Sequence, residues 1–270
     1  MSLQESPIKD KWALILGASS GFGEATGLEL ARCGMHIFGV HLDRKATMPN
    51  VERIIGQIKD MGRQAVFFNI NAADPEKRKE TIDEMEGILR ESGNPSGVRV
   101  LLHSLAFGTL KPYVAPSPKD MVTGSNMNMT LDVMAHSLVY WTQDLVSRGL
   151  MTKGSKIFAM TSAGGHRVWT TYGPVSTAKA ALEAHIRQLA VELAPYEITA
   201  NAIRAGVTDT PALKKIPGCE EIIKKAIEAN PYKRLTTPED VAQAIRALCQ
   251  SGTHWITGNV IGVDGGEDLV

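Results

Sequence analysis

No run of apolar residues in this chain reaches the roughly 18 that a membrane-crossing helix needs, so no span is expected. Charge of one sign is also lacking. The 29 basic residues meet 29 acidic ones, and a net charge of zero argues against a protein held to nucleic acid by phosphate contacts. Cysteine is scarce: Cys33, Cys219 and Cys249 form no C-x-x-C pair and no metal-ligand spacing, so no metal centre is expected. Residues 1–10 carry no secretion signal, and the thiols are expected reduced in a cytoplasm. Repeats, low-complexity tracts and long Gly/Ser linkers are missing as well.

What remains is an ordinary globular composition, 43% hydrophobic over 270 residues, a length that α/β folds use as one unit. Apolar, β-rich runs fall at 12–16, 37–42, 65–70, 98–102, 156–160, 198–203 and 260–263. Helical patterns separate them at 21–33, 51–61, 75–91, 120–149, 172–193 and 238–250. Near-continuous apolar strands alternating with helices predict a parallel sheet covered on both faces. The expected fold is therefore α/β: one doubly wound, Rossmann-type domain over 1–270 with seven strands. Prolines 211, 217 and 231 bracket a short charged helix, which predicts a flap over the strand ends at about 208–234.

The first strand runs into Gly17-Ala18-Ser19-Ser20-Gly21-Phe22-Gly23 and then a helix. Gly17 permits a tight turn, and Gly21 and Gly23 let backbone amides approach a pyrophosphate. At the end of the second strand an acid would accept bonds from an adenosine ribose and repel a 2′-phosphate. His41 stands where that acid is expected, followed by Leu42-Asp43-Arg44-Lys45. This favours NADPH through His41 and Arg44, while Asp43 keeps NADH open.

Seven positions separate Tyr172 from Lys179, and the position one helical turn before the lysine is Val175. Spacings of four and seven both put a phenol and an ammonium on one helix face. The longer one moves the phenol roughly 5 Å along the helix. A ketone needs its acid at the oxygen on the carbon that receives hydride. An enoyl thioester needs hydride at the β-carbon and the acid at the carbonyl oxygen two carbons on. The displaced tyrosine suits the second demand. Ser162 ends the fifth strand, where such folds place ligand contacts.

Further motifs follow in order: His103-Ser104-Leu105-Ala106, Asn126-Met127-Asn128, Asn201 to Gly206 with Thr208 and Thr210, and Ile256 to Gly266. With these the chain resembles the short-chain dehydrogenase/reductase superfamily over roughly its full length. More narrowly it is similar to bacterial enoyl-acyl-carrier-protein reductases of the NADPH-preferring branch. His103-Ser104 and Ala205-Gly206 depart from the general pattern in that direction. Many enoyl reductases carry a second tyrosine 17 positions before the lysine; Ser162 stands there, as in carbonyl reductases, and it is also compatible with that branch.

The resemblance implies reduction of an enoyl thioester in fatty acid synthesis, the acyl group carried by acyl carrier protein, and a cytoplasmic homotetramer. Lys179 would hold the nicotinamide ribose and lower the Tyr172 pKa. Tyr172 would bond the thioester oxygen, Ser162 would support it, and Asn128 would bend its helix and hold a water leading to Lys179. Gly17, Ser19, Ser20, Gly21, Phe22, Gly23, Asn71, Ala72, His103, Ser104, Gly206, Thr208 and Thr210 complete the implied cofactor contacts. Lys214, Lys215, Lys224 and Lys225 in the flap are candidates for meeting an acidic carrier protein. A ketone or 3-oxoacyl reductase of the same fold is the alternative, and a nucleotide-binding regulator without catalysis is a third reading.

Overall fold

The computed structural model describes residues 8–94 and 97–270. Most of the 1–10 stretch read as free of a secretion signal lies outside it. Seven strands form one parallel sheet in the order β3-β2-β1-β4-β5-β6-β7. They are β1 (Trp12–Leu16), β2 (His36–His41), β3 (Ala65–Asn69), β4 (Val98–His103), β5 (Lys156–Ser162), β6 (Thr199–Ala205) and β7 (Val260–Val263). The helices are α1 (Gly21–Arg32), α2 (Met48–Asp60), α3 (Pro75–Glu91), α4 (Gly124–Leu131), α5 (Ser137–Ser147), α6 (Gly173–Glu192), α7 (Cys219–Ala229) and α8 (Pro238–Leu248). Among the described residues no helix is long and apolar enough to cross a membrane.

Strand alternation sorts the core into two layers. Trp12, Leu14 and Leu16 of β1 pack with Ile82 and Met85 of α3, Trp141 of α5 and Ile186 of α6. Ala13 and Ile15, pointing the other way, pack with Leu30 of α1, Ile54 of α2 and Ile245 of α8. Every residue of β1 is buried, which is why the strand reads as a solid apolar run rather than an alternating one. The sheet order reverses between β1 and β4, and a crevice opens there at the carboxyl ends of the strands.

One expected helix is not continuous. The 120–149 pattern begins with a 3-10 turn at Pro118–Asp120, then α4, a π turn at Asp132–His136, then α5. Thr123 and Asn126 form a reciprocal cap that starts α4 afresh. At the π turn Ser137 Oγ bonds back to the Val133 carbonyl at 2.8 Å and meets the His103 ring at 2.8 Å. A polar pair of this kind competes with the helix ladder. At the strand ends, β6 runs two residues further than expected, so that Ser162, read as the end of the fifth strand, pairs with Ala205. The flap region holds a 3-10 turn at Leu213–Lys215 and α7.

Candidate active site

At the crevice, Gly17 adopts φ +90°, and a side chain there would run into the Ser104 carbonyl at the end of β4. A side chain at Gly23 would strike the carbonyl of Gly17. The absence of both lets the turn fold flat against the sheet. Asn50 of α2 donates to the Ser19 carbonyl at 2.7 Å and fixes the turn from outside. Ser20 precedes α1 in an extended conformation, and its side chain caps none of the helix amides. The first-turn amides of α1 therefore form a cradle for an anion. The backbone of this turn fits the pyrophosphate of a dinucleotide. The Phe22 ring instead packs into the core layer beside Ile15.

The end of β2 differs from expectation. Asp43, not Arg44, turns inward. Its carboxylate lies 3.0 Å from His41 Nδ1, and polar contacts with Thr47 and with Ser19 of the glycine turn favour its charged form. Burial pushes the Asp43 pKa up, but those contacts outweigh it and leave the group below its ordinary value. His41 is buried, which lowers its pKa despite the partner carboxylate. Arg44 is exposed. Asp43, the residue that kept NADH open beside the NADPH expectation, is thus the one that folds back onto the glycine turn, while Arg44 points to solvent.

The expected catalytic side chains meet in part. Tyr172 stands one residue before α6 rather than within it, and its hydroxyl lies near that of Ser162 at the end of β5. Ser162 Oγ also accepts the Gly164 amide at 3.1 Å. A side chain at Gly164 would strike the Tyr172 ring. Burial raises the phenol's pKa, and Ser162 offsets this only partly. Lys179, 5% exposed, donates from Nζ to the Met160 carbonyl at 2.7 Å. Burial pulls its pKa down to about 8, against the opposing charge of Glu183. Glu183 is held by the Thr161 hydroxyl at 2.6 Å. The expected lowering of the Tyr172 pKa by Lys179 is not found: desolvation dominates the phenol, and the ammonium is turned to β5.

Val175 lies in an apolar cluster with Val133, Met134 and Ala178. Gly108 sits so close that any side chain on it would strike Val175, Met134 and Thr130. The position one helical turn before Lys179 is thus filled with hydrocarbon. Directly before Tyr172, Thr171 has φ +67°. That is an unusual conformation for a β-branched residue, costing on the order of 1–3 kcal/mol.

The other expected contact residues make these contacts within the chain. His103 is fully buried, its pKa brought to about 3 by desolvation and by the Lys179 charge, and it serves the π turn through Ser137. Asn128 is exposed on α4, lining a cavity of about 610 Å³ with His136 and Asp132, whereas Lys179 is spent on Met160. Asn71 is exposed and accepts the Ala73 amide, and the Ala72 carbonyl takes the Trp141 indole. Gly206 makes room for Thr236 and Glu267. Thr208 bonds the Gly206 carbonyl, while Thr210 accepts the Leu213 amide and lies beside Gly21. In the flap, Lys214 pairs with Asp209, Lys224 with Glu228 and Lys225 with Glu221.

A family described as enoyl-(acyl carrier protein) reductase matches residues 17–267. The 1-cyclohexenylcarbonyl-CoA reductase of Streptomyces collinus is 27% identical, over 99% of this chain and 90% of that protein. The NADPH enoyl-[acyl-carrier-protein] reductase of Staphylococcus aureus is 31% identical, over 83% and 82%. The 2,3-dihydro-2,3-dihydroxybenzoate dehydrogenase of Bacillus subtilis is 29% identical, over 97% of each.

Proposed function

The chain belongs to the short-chain dehydrogenase/reductase family, in the group described as enoyl-(acyl carrier protein) reductases, and from that membership we propose that it reduces the 2,3 double bond of an enoyl thioester. At the coarser level it is an NAD(P)-dependent oxidoreductase. The observation that carries the finer reading is the pair of positions ahead of Lys179, one just before α6 and one within it. Tyr172 lies against Ser162, and Val175, one turn before Lys179, is sealed under Gly108. A phenol is thus offered only at the longer spacing.

A bound nicotinamide nucleotide would supply hydride to the substrate β-carbon. The α1 amides would hold its pyrophosphate, and Lys179, bonded to the Met160 carbonyl in this structure, would turn its charge to the nicotinamide ribose hydroxyls. Tyr172 is protonated near neutral pH, and burial raises its pKa further, so it donates a hydrogen bond to the thioester carbonyl oxygen as the enolate forms; the α-carbon then takes its proton from solvent or from Tyr172 itself. Ser162 fixes the direction of that hydroxyl. The apolar wall of Val175, Val133 and Met134 excludes water beside it.

The test follows nicotinamide absorbance with crotonyl and acetoacetyl thioesters, each on coenzyme A and on acyl carrier protein. The crotonyl substrate is expected to be consumed faster. Faster turnover of acetoacetyl thioester would replace this reading with that of a ketone reductase. Acyl carrier protein is the proposed carrier, with fatty acid synthesis as the setting. A homotetramer assembled through α5, α6 and the β7 edge is proposed with it; Trp255 beside β7 is 89% exposed in the single chain.

The inward Asp43 favours NADH over NADPH, because a carboxylate at the ribose accepts its hydroxyls and repels a 2′-phosphate. Asp43→Ser is expected to raise NADPH affinity relative to NADH by about tenfold or more, since one charge contact carries energies of this order. Dissociation constants at fixed salt measure it. A wild-type preference for NADPH would mean that Asp43 does not face the nucleotide.

A further inference from the structure

Asp268 lies in the one-turn 3-10 helix Glu267–Leu269 that follows β7. Its side chain is 12% exposed, and groups from two other elements converge on it. His166 Nε2 and Arg167 Nε each lie 3.1 Å from Oδ1, and an Arg204 guanidinium nitrogen lies 3.0 Å from Oδ2. Arg167 also donates to the Asp268 backbone carbonyl at 3.0 Å. His166 and Arg167 belong to the loop that runs from Ser162 to Tyr172, and Arg204 is the last residue but one of β6. Next to Asp268, Glu267 accepts the Val207 amide at the base of the flap, at 3.1 and 3.2 Å. One short turn therefore ties together the loop after β5, the end of β6 and the base of the flap.

The loop needs such a grip. Thr171 holds a left-handed conformation directly before Tyr172, and its hydroxyl is buried without a partner. Strain of this kind persists only where the surroundings over-determine it. Arg167 and His166 make the tertiary side-chain contacts of the 163–168 stretch that lead away from the crevice, and both end on Asp268. No bond recorded among the described residues takes Asp268 to Tyr172 or Lys179, so its influence runs through the loop.

We propose that Asp268 is a positioning residue: by gathering His166, Arg167 and Arg204 onto one carboxylate, it holds the 163–172 loop so that Tyr172 stays against Ser162. The proposal rests on the reading of Tyr172 as the hydrogen-bond donor to substrate, and its test is divided accordingly. In the full chain, Asp268→Asn is expected to speed amide hydrogen exchange across 163–172 about tenfold or more and to lower kcat with crotonyl thioester about tenfold. The NADH dissociation constant should stay within about twofold, because the α1 cradle is untouched. Arg167→Met should act in the same direction, and the double variant should be no worse than Asp268→Asn alone. Asp268→Glu should recover part of kcat.

Unchanged exchange in 163–172 in Asp268→Asn, or additive effects of the two substitutions, would overturn the proposal. If Asp268→Asn does not fold, exchange in Arg167→Met decides, since that side chain is half exposed and removable. Faster loop exchange in a protein whose wild type reduces no enoyl thioester would sink the functional reading and leave the positioning role standing.

Discussion

Tyr172→Phe lowers kcat for enoyl thioester reduction by about 10²–10³, the usual cost of one donor to a developing oxyanion, and leaves NADH affinity nearly unchanged. The substitution removes a single hydroxyl. The ring stays packed beside Gly164, and the backbone of Tyr172 still anchors α6 through the Ser176 amide at 2.8 Å. Neither the glycine turn nor Lys179 bonds the phenol, so nucleotide binding has no reason to fall. Ser162→Ala should cost less, because that hydroxyl orients the phenol and leaves the donor itself in place. Stopped-flow reduction of crotonyl thioester together with NADH titration separates the two effects. Full activity in Tyr172→Phe would remove Tyr172 from the role of donor and return the 2,3-reduction reading to an open question.

The sheet was legible because each strand is a buried apolar run and each helix between them repeats with the right period. β1 and β7 stand at the expected residues, and α3 begins and ends as expected because Asp74 and Pro75 mark its start. The glycine turn was legible for a similar reason: its function lies in backbone that only glycine allows. What was not legible depends on where a side chain turns. Counting from the end of β2 put His41 in the place of an acid, yet the chain bends there so that Leu42 is exposed and Asp43 folds back onto Ser19. His103 sits on a strand buried on both faces, where alternation cannot tell the crevice side from the core side. The break between α4 and α5 depends on Ser137 meeting that same histidine, 34 positions away. The grip of Asp268 on His166 spans 102 positions, and no local pattern announces it.

Lys179→Met is expected to abolish measurable reduction and yet make the nucleotide-free protein more stable at neutral pH. The ammonium is buried with one carbonyl partner and the distant help of Glu183, so its charged form is disfavoured in the fold and its pKa drops to about 8 from an ordinary 10.5. A shift of that size corresponds to about 3 kcal/mol of destabilisation while the group is charged. Methionine has similar length and no charge to desolvate, so the melting temperature should rise by several degrees. The gain has a definite pH window. Below about 8 the lysine is charged in both folded and unfolded states, and the full difference between variant and wild type is present. From about 8 to 10.5 the folded protein binds fewer protons than the unfolded chain, wild-type stability rises with pH, and the difference closes. Above that range both states are neutral at this site and little advantage remains. Calorimetry of the nucleotide-free proteins at pH 7 and pH 10 measures it. A variant that melts lower than wild type at pH 7, or an advantage that grows with pH, would show that Lys179 is well solvated in the fold. The cost of burying this charge would then be no part of how the site is held ready for the nucleotide whose ribose the ammonium is proposed to meet.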